Sequence, residues 1–240
     1  MTTRDSQILA SPAHSPSGVS ARSSVDSSST ADTSMAPNID YDLDVEGDVI
    51  LTLQNPNAPF AHAEDEGSEP EQSTGSKGED HQVLFRLSSR HLISASPYFR
   101  AMLTGPWREN TSRSDDSLYT LDASDWDEEA FQILMNILHG NFKDLTQSVD
   151  LELLGKIAVL VDYYKCHDAV TIYAELWMTG LRKEKYVAED QCRDLALWLF
   201  VSYVFNEGHT FHETTLQAMQ QTRGPLRTFN LPIPGYIIGM

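Results

Sequence analysis

Residue types able to do chemistry are few in this chain, and their spacing does not favour it. His209 and His212, with Glu207 and Glu213 close by, could place imidazole and carboxylate on one side of a helical turn, as a metal site requires. Two histidines three apart do not close a tetrahedral site without distant ligands, and solvated histidines at a helix start are the plainer reading. Cys166 and His167 are adjacent, so on a helix they diverge by about 100° and do not face each other. A buried thiol in a core helix is expected there instead of a nucleophile with its base. The run Glu64-Asp65-Glu66 lacks the alternating oxygen ligands and glycine of a calcium loop and reads as a solvating stretch. Tyr163-Tyr164 and Trp198 lie inside helical apolar patterns, which makes them core residues before cofactor-stacking ones. No glycine-rich phosphate loop, no Gly-x-Ser-x-Gly elbow, no His-Glu-x-x-His helix and no Cys-x-x-Cys pair occurs. Neither an enzymatic activity nor a bound cofactor or metal is expected.

Composition narrows the classes further. The 240 residues fit one domain with additions, and 17 basic against 35 acidic residues give a net charge of −18. Such a charge repels phosphate backbones and anionic lipid, so direct binding to nucleic acid or membrane is not expected. A hydrophobic content of 40%, with 4 Trp, 9 Tyr and 9 Phe, is enough for a core. Cys166 and Cys192 each sit in an apolar helical pattern and form no disulfide framework. With no signal-like apolar stretch in Met1 to Ala10 and no long apolar run downstream, the reading is a soluble intracellular protein, cytoplasmic or nuclear.

Residues 1–39 are rich in Ser, Thr, Ala and Pro and cannot bury enough surface to offset their ordering entropy, so a disordered tail is expected. Gly47-Asp48 opens a strand, Val49 to Leu53, closed by Asn55-Pro56; a second runs from Gln82 to Leu87; the acidic residues at about 55–81 between them read as an inflated connection. Two short helices meet at Pro97. Leu92 and Ile93 end the first, Tyr98, Phe99, Met102 and Leu103 give the second its apolar face, and Ser96 is placed to cap it. Leu118 to Leu121 is a third strand. Asp125 is read as the cap of a helix carrying Phe131, Leu134, Met135 and Leu138, which Gly140 ends. Asp150 caps the next helix, with Leu154, Ile157, Ala158 and Val161, and a third helix from about Asp168 to Leu181 carries Ile172, Leu176 and Trp177 on one side. Beyond Arg182 to Lys185, a helix from about Ala188 to Phe205 is apolar nearly all round and must be buried; a shorter one around Glu213 to Gln221 follows, and the proline-bearing end reads as extended.

This order, joined to particular words, resembles the BTB/POZ domain. Gly47-Asp48-Val49 looks like the opening of its first long strand. Phe85, Leu92, Ser96 and Phe99 match a phenylalanine followed by leucine, serine and a second phenylalanine at seven, eleven and fourteen residues, and Met102-Leu103 closes the match. Glu129-Ala130-Phe131, Ile137-Leu138-His139-Gly140 and Leu154 to Tyr164 look like the helices after the third strand. The likeness covers about Asp44 to Met178, and its wording is similar to stand-alone BTB proteins of filamentous fungi. One departure stands out: the histidine and basic residue that many members carry three and four after the phenylalanine fall on Ser88 and Ser89, with Arg90 and His91 beside them, so the charged pocket that usually pairs the basic residue with the Asp48 position does not follow from the resemblance.

The resemblance implies an α/β fold, a small three-stranded or larger sheet flanked by a cluster of helices, over residues 40–181, with residues 182–240 as a helical extension and extended tail. It implies a non-enzymatic protein-interaction module that self-associates as a homodimer through its first strand and first helix, with Leu92 and Ile93 at the dimer surface. Trp107-Arg108-Glu109 fits the hydrophobic-x-Glu word by which some members recruit the cullin scaffold of ubiquitin ligases; packing of Trp107 against the helix end is the alternative. An oligomerising transcriptional regulator would need a DNA-binding partner, since no zinc finger or basic region is present.

Overall fold

The computed structural model describes residues 38–61, 81–105, 118–183, 191–221 and 226–238. Strands β1 (Tyr41–Asp42), β2 (Val49–Gln54), β3 (Gln82–Leu87) and β4 (Tyr119–Ser124) form a mixed sheet in the order β1-β3-β2-β4, in which β2 and β3 are antiparallel and the two outer pairings are parallel. The helices are α1 (Ser89–Ala95), α2 (Pro97–Thr104), α3 (Glu128–His139), α4 (Leu151–Tyr164), α5 (His167–Lys183), α6 (Gln191–Val204), α7 (Gly208–Gln221) and α8 (Gly235–Ile238), with a 3-10 turn at Phe142–Asp144.

Alternation decides which face of the sheet is covered. Val49, Leu51 and Leu53 in β2, Val83, Phe85 and Leu87 in β3, and Leu121 and Ala123 in β4 are all buried. The pairing register puts Tyr41, Phe85, Leu51 and Leu121 in one row across the four strands. A slip of one residue would turn that row to solvent, so burial on one side fixes the register. Gly47, ahead of β2, is required by close approach: a Cβ there would lie 2.5 Å from the Leu87 carbonyl oxygen and 2.7 Å from that of Asp44.

The helix ends follow the local signals with one displacement. Ser96 caps α2 by accepting from Phe99 N, Pro97 occupies its first turn, Asp150 caps α4 by accepting from Leu153 N, and Gly140 ends α3 in the left-handed region at φ +74°. The cap of α3 is Asp127, whose carboxylate accepts from Ala130 N, and not Asp125. Asp125 is at φ +66°, held by a 2.5 Å bond from Asn55 Nδ2, while Asn57 Oδ1 accepts from Glu128 N. The turn after β2 is thus pinned to the start of α3.

In α5 the buried side is Val170, Ala174, Trp177, Met178 and Leu181, whereas Ile172 and Leu176 are 77% and 58% exposed. Five residues on a helix turn through about 140°, so Ile172 and Trp177 cannot share a face, and the largest ring takes the core. The helix apolar all round, α6, is buried as expected, with Leu195, Leu197, Leu199, Phe200, Val201 and Val204 all inside. It lies on α4 so closely that a Cβ on Gly155 would be 2.8 Å from Leu197 Cδ2. The chain end is not merely extended: Phe229, Leu231, Ile233 and Ile237 are buried, and a short α8 forms. One apolar core therefore runs from the sheet through α4 into the C-terminal helices.

Candidate interaction surfaces

The residues that carried the family likeness converge on one joint. Phe85 is fully buried, stacked on Tyr41 at 4.8 Å and edge-on to Phe131 at 5.1 Å. Phe99 stacks on Tyr164 at 4.7 Å. Ser96, fully buried, donates to the Tyr164 carbonyl at 2.5 Å while its oxygen accepts from Phe99 N at 3.1 Å. One hydroxyl thus caps α2 and closes the C-terminal end of α4. Trp126 Nε1 donates to the Tyr164 hydroxyl, and burial, the dominant influence, drives that phenol well above its ordinary pKa. Tyr163 and Tyr164 are packing residues of this cluster, as their helical spacing suggested; Trp198 is half-buried at the edge of the core.

Asp48 has a neutral partner. Its two carboxylate oxygens accept from Ser89 N and Ser89 Oγ, both at 2.7 Å, so this serine satisfies the carboxylate and ties the start of β2 to the first turn of α1. His139 fastens the same turn from α3: its Nε2 accepts from Ser88 N at 2.9 Å, which leaves Nδ1 protonated to donate to Met135 O at 2.8 Å. Burial lowers the His139 pKa, against a smaller opposing influence from the Met135 carbonyl, and His91 packs perpendicular to its ring at 5.2 Å. The imidazole is neutral, and its tautomer is set by these two bonds.

The pair expected at a dimer surface is split. Leu92 is 0% exposed and belongs to the domain's own core, so it has no side chain to offer a partner, while Ile93 beside it is only partly buried. Adjacent helical residues point about 100° apart, and only one of them can face inward. Trp107, Arg108 and Glu109 lie outside the described residues, as do Glu64, Asp65 and Glu66.

The remaining chemical candidates are dispersed or engaged. His209 and Glu213 are an exposed pair at 3.4 Å on α7, His212 is exposed, and Glu207 accepts from Thr210 N at 2.7 Å near Arg182. No cluster of three metal-ligating side chains occurs among the described residues. Cys166 is buried in the turn between α4 and α5, not within a helix, and burial pushes its thiol up to about 12. Cys192 is exposed on α6. What spacing could not reveal is an ionic network beneath the extension. Lys156 Nζ meets Asp127 at 2.8 Å and Glu152 at 2.9 Å, Arg193 meets Glu152 at 2.7 Å, and Arg193 Nε donates to Ala61 O. Burial alone would raise the Glu152 carboxyl, but the hydrogen bonds from Lys156 and Arg193 outweigh it and hold the pKa below its usual value. Glu152 and Lys156 are neighbours one turn apart on α4, but Asp127 and Arg193 are too far along the chain for periodicity to associate them with that pair.

The sheet, the two short helices after β3 and the helices that follow define an α/β architecture of the BTB/POZ fold with C-terminal helices. The family model of the BTB/POZ domain matches residues 79–179, from just before β3 to near the end of α5. β1 and β2 complete the sheet ahead of that match. BTB/POZ domains are protein-interaction modules, in general without enzymatic activity. No curated protein matches the chain in a comparison of sequences. No described helix is long and apolar enough to cross a membrane.

Proposed function

We propose that this chain is a protein–protein interaction module that associates with itself through its BTB/POZ domain. The observation that carries the reading is the display of large apolar side chains outside the core, namely Val45 in the turn before β2, Phe142 in the 3-10 turn, and Ile172 and Leu176 on α5, each more than half exposed. An acidic domain that keeps such side chains in water presents surfaces for other proteins. Ile93 on α1 is the residue assigned to the family-type dimer surface. The test is the solution mass of the full chain by light scattering for wild type, Ile93→Asp and Leu92→Asp. Ile93→Asp should lower the mass of a protein that stays folded, whereas Leu92→Asp should unfold it, because it places a charge in a fully buried site. A wild type that is monomeric at every concentration refutes self-association.

A second reading, recruitment of a cullin-type ubiquitin ligase scaffold, is favoured by one sequence observation, the Trp107-Arg108-Glu109 word between α2 and β4. Purified cullin should bind the wild-type chain and lose affinity for Trp107→Ala; equal binding by both removes that reading. A transcriptional role would follow from the same module only through a DNA-binding partner.

A further inference from the structure

The outward side of α5 carries a stripe with an order of its own. Asp168, Ile172, Leu176, Thr179 and Lys183 fall within an arc of about 80° on the helix, opposite the buried side formed by Val170, Ala174, Trp177, Met178 and Leu181. All five are exposed. Gly180 lies beside the stripe with nothing within 4 Å of the position a Cβ would take, so another helix can come close to the backbone there. On the flank, Phe142, 56% exposed, sits 5.8 Å from the Tyr173 ring and widens the apolar zone.

The charges are arranged in mirror order about the apolar centre. Asp168 begins the stripe and Lys183 ends it, and the two lie equally far, about 11 Å, on either side of the step from Glu175 to Leu176. A copy of the same helix laid antiparallel across a two-fold axis at that step brings each Asp168 against the other copy's Lys183. The same operation sets each Ile172 against the small pair Thr179 and Gly180, and packs the two Leu176 side chains near the axis, each beside the other copy's Glu175, which is exposed on the border of the stripe. A parallel arrangement would instead put Asp168 on Asp168 and Lys183 on Lys183. The antiparallel register also opposes the two helix dipoles, which favours it further.

We propose that this face of α5 is a self-association surface whose occupant is α5 of a second copy, paired antiparallel. This deepens the self-association reading by assigning it a surface on an element other than α1. The complementarity is isologous: one stripe supplies both halves of the contact, as a two-fold interface demands. A single helix pair buries less than the roughly 1,200 Å² at the lower end of stable interfaces, so the contact is concentration-dependent. With Ile93 on α1 serving a separate two-fold contact, the two surfaces together would build assemblies larger than a dimer.

The test is sedimentation equilibrium or light scattering of the full chain across a concentration series, with far-UV circular dichroism on every variant. All substituted residues are exposed, so the fold should persist. Ile172→Glu/Leu176→Glu is expected to weaken association, and Asp168→Lys alone is expected to weaken it about tenfold, because two attractions become two repulsions. Asp168→Lys/Lys183→Asp restores the opposite charges in the same register and should recover most of that loss. Unchanged association in Ile172→Glu/Leu176→Glu overturns the proposal, and so does a double charge reversal no better than Asp168→Lys. If only Ile93→Asp lowers the mass, the α5 surface is wrong and the self-association reading stands. If the wild type never associates, both fall.

Discussion

Replacing Ser96 by alanine isolates the contribution of one hydroxyl to the joint between α2 and α4. The side chain is 0% exposed, accepts from Phe99 N and donates to the Tyr164 carbonyl. Tyr164 is the last residue of α4, so its carbonyl has no donor within the helix. Two losses add. The N-cap of α2 is worth about 1 kcal/mol, and a buried carbonyl left without a donor costs about 1–2 kcal/mol. The rings of Phe99 and Tyr164, stacked at 4.7 Å, close the site. The expected loss is about 2–3 kcal/mol, read as a lower urea midpoint with an unchanged slope in equilibrium unfolding followed by circular dichroism. Ser94→Ala, at an exposed position on α1, should change stability by less than about 0.5 kcal/mol and serves as the control. A loss of under about 0.5 kcal/mol in Ser96→Ala would refute the double role given to this hydroxyl.

Three further outcomes follow from the same contacts. His139 has a depressed pKa in the folded state, so the unfolded chain binds the extra proton more readily and stability decreases as the pH is lowered. That contribution is complete above the unfolded value of about 6.5 and is lost as pH falls toward and through the lowered folded value; denaturation at pH 7.5 and 5.5 should show a steeper drop in wild type than in His139→Gln. Lys156→Met leaves Asp127 without its 2.8 Å partner and Glu152 with Arg193 alone, and should cost about 2 kcal/mol by urea unfolding. Gly47→Ala drives a Cβ into the Leu87 carbonyl oxygen and should cost about 3 kcal/mol, visible as a lower thermal midpoint.

The parts of the fold that were legible in the sequence are those decided by neighbours along the chain. Ser96, Pro97, Gly140 and Asp150 act where local capping rules put them, and the β-branched and aliphatic density of Val49 to Leu53 before the Asn55-Pro56 turn signal marked a strand. The misplaced cap shows the limit. Asp125 and Asp127 are equivalent as local signals, and the choice between them is made by Asn55, 70 residues away, which holds Asp125 in a left-handed conformation. β1 went unread because two residues have no periodicity, and its pairing with β3 spans more than 40 positions. For Leu92 and Ile93 the composition is identical and only the packing of α1 against α2 and α3 selects which is buried. The stripe on α5 was hidden for a related reason: Ile172, Leu176 and Trp177 are all apolar, and nothing in the local pattern says that one ring outcompetes two aliphatic side chains for the interior. The pairing of Asp48 with Ser89 was not visible in the sequence, since hydrogen bonds of a serine to a carboxylate 41 residues away leave no spacing signature.

The close seat of Leu197 on Gly155 means that the piece of chain able to fold and the piece outlined by the family match are different lengths. A fragment cut at residue 179 would uncover the side of α4 on which Leu197 rests and strand Glu152 without Arg193, turning an interior wall into an outside one. Such a fragment should be insoluble or sticky, and binding seen with it would report the cut, not the protein.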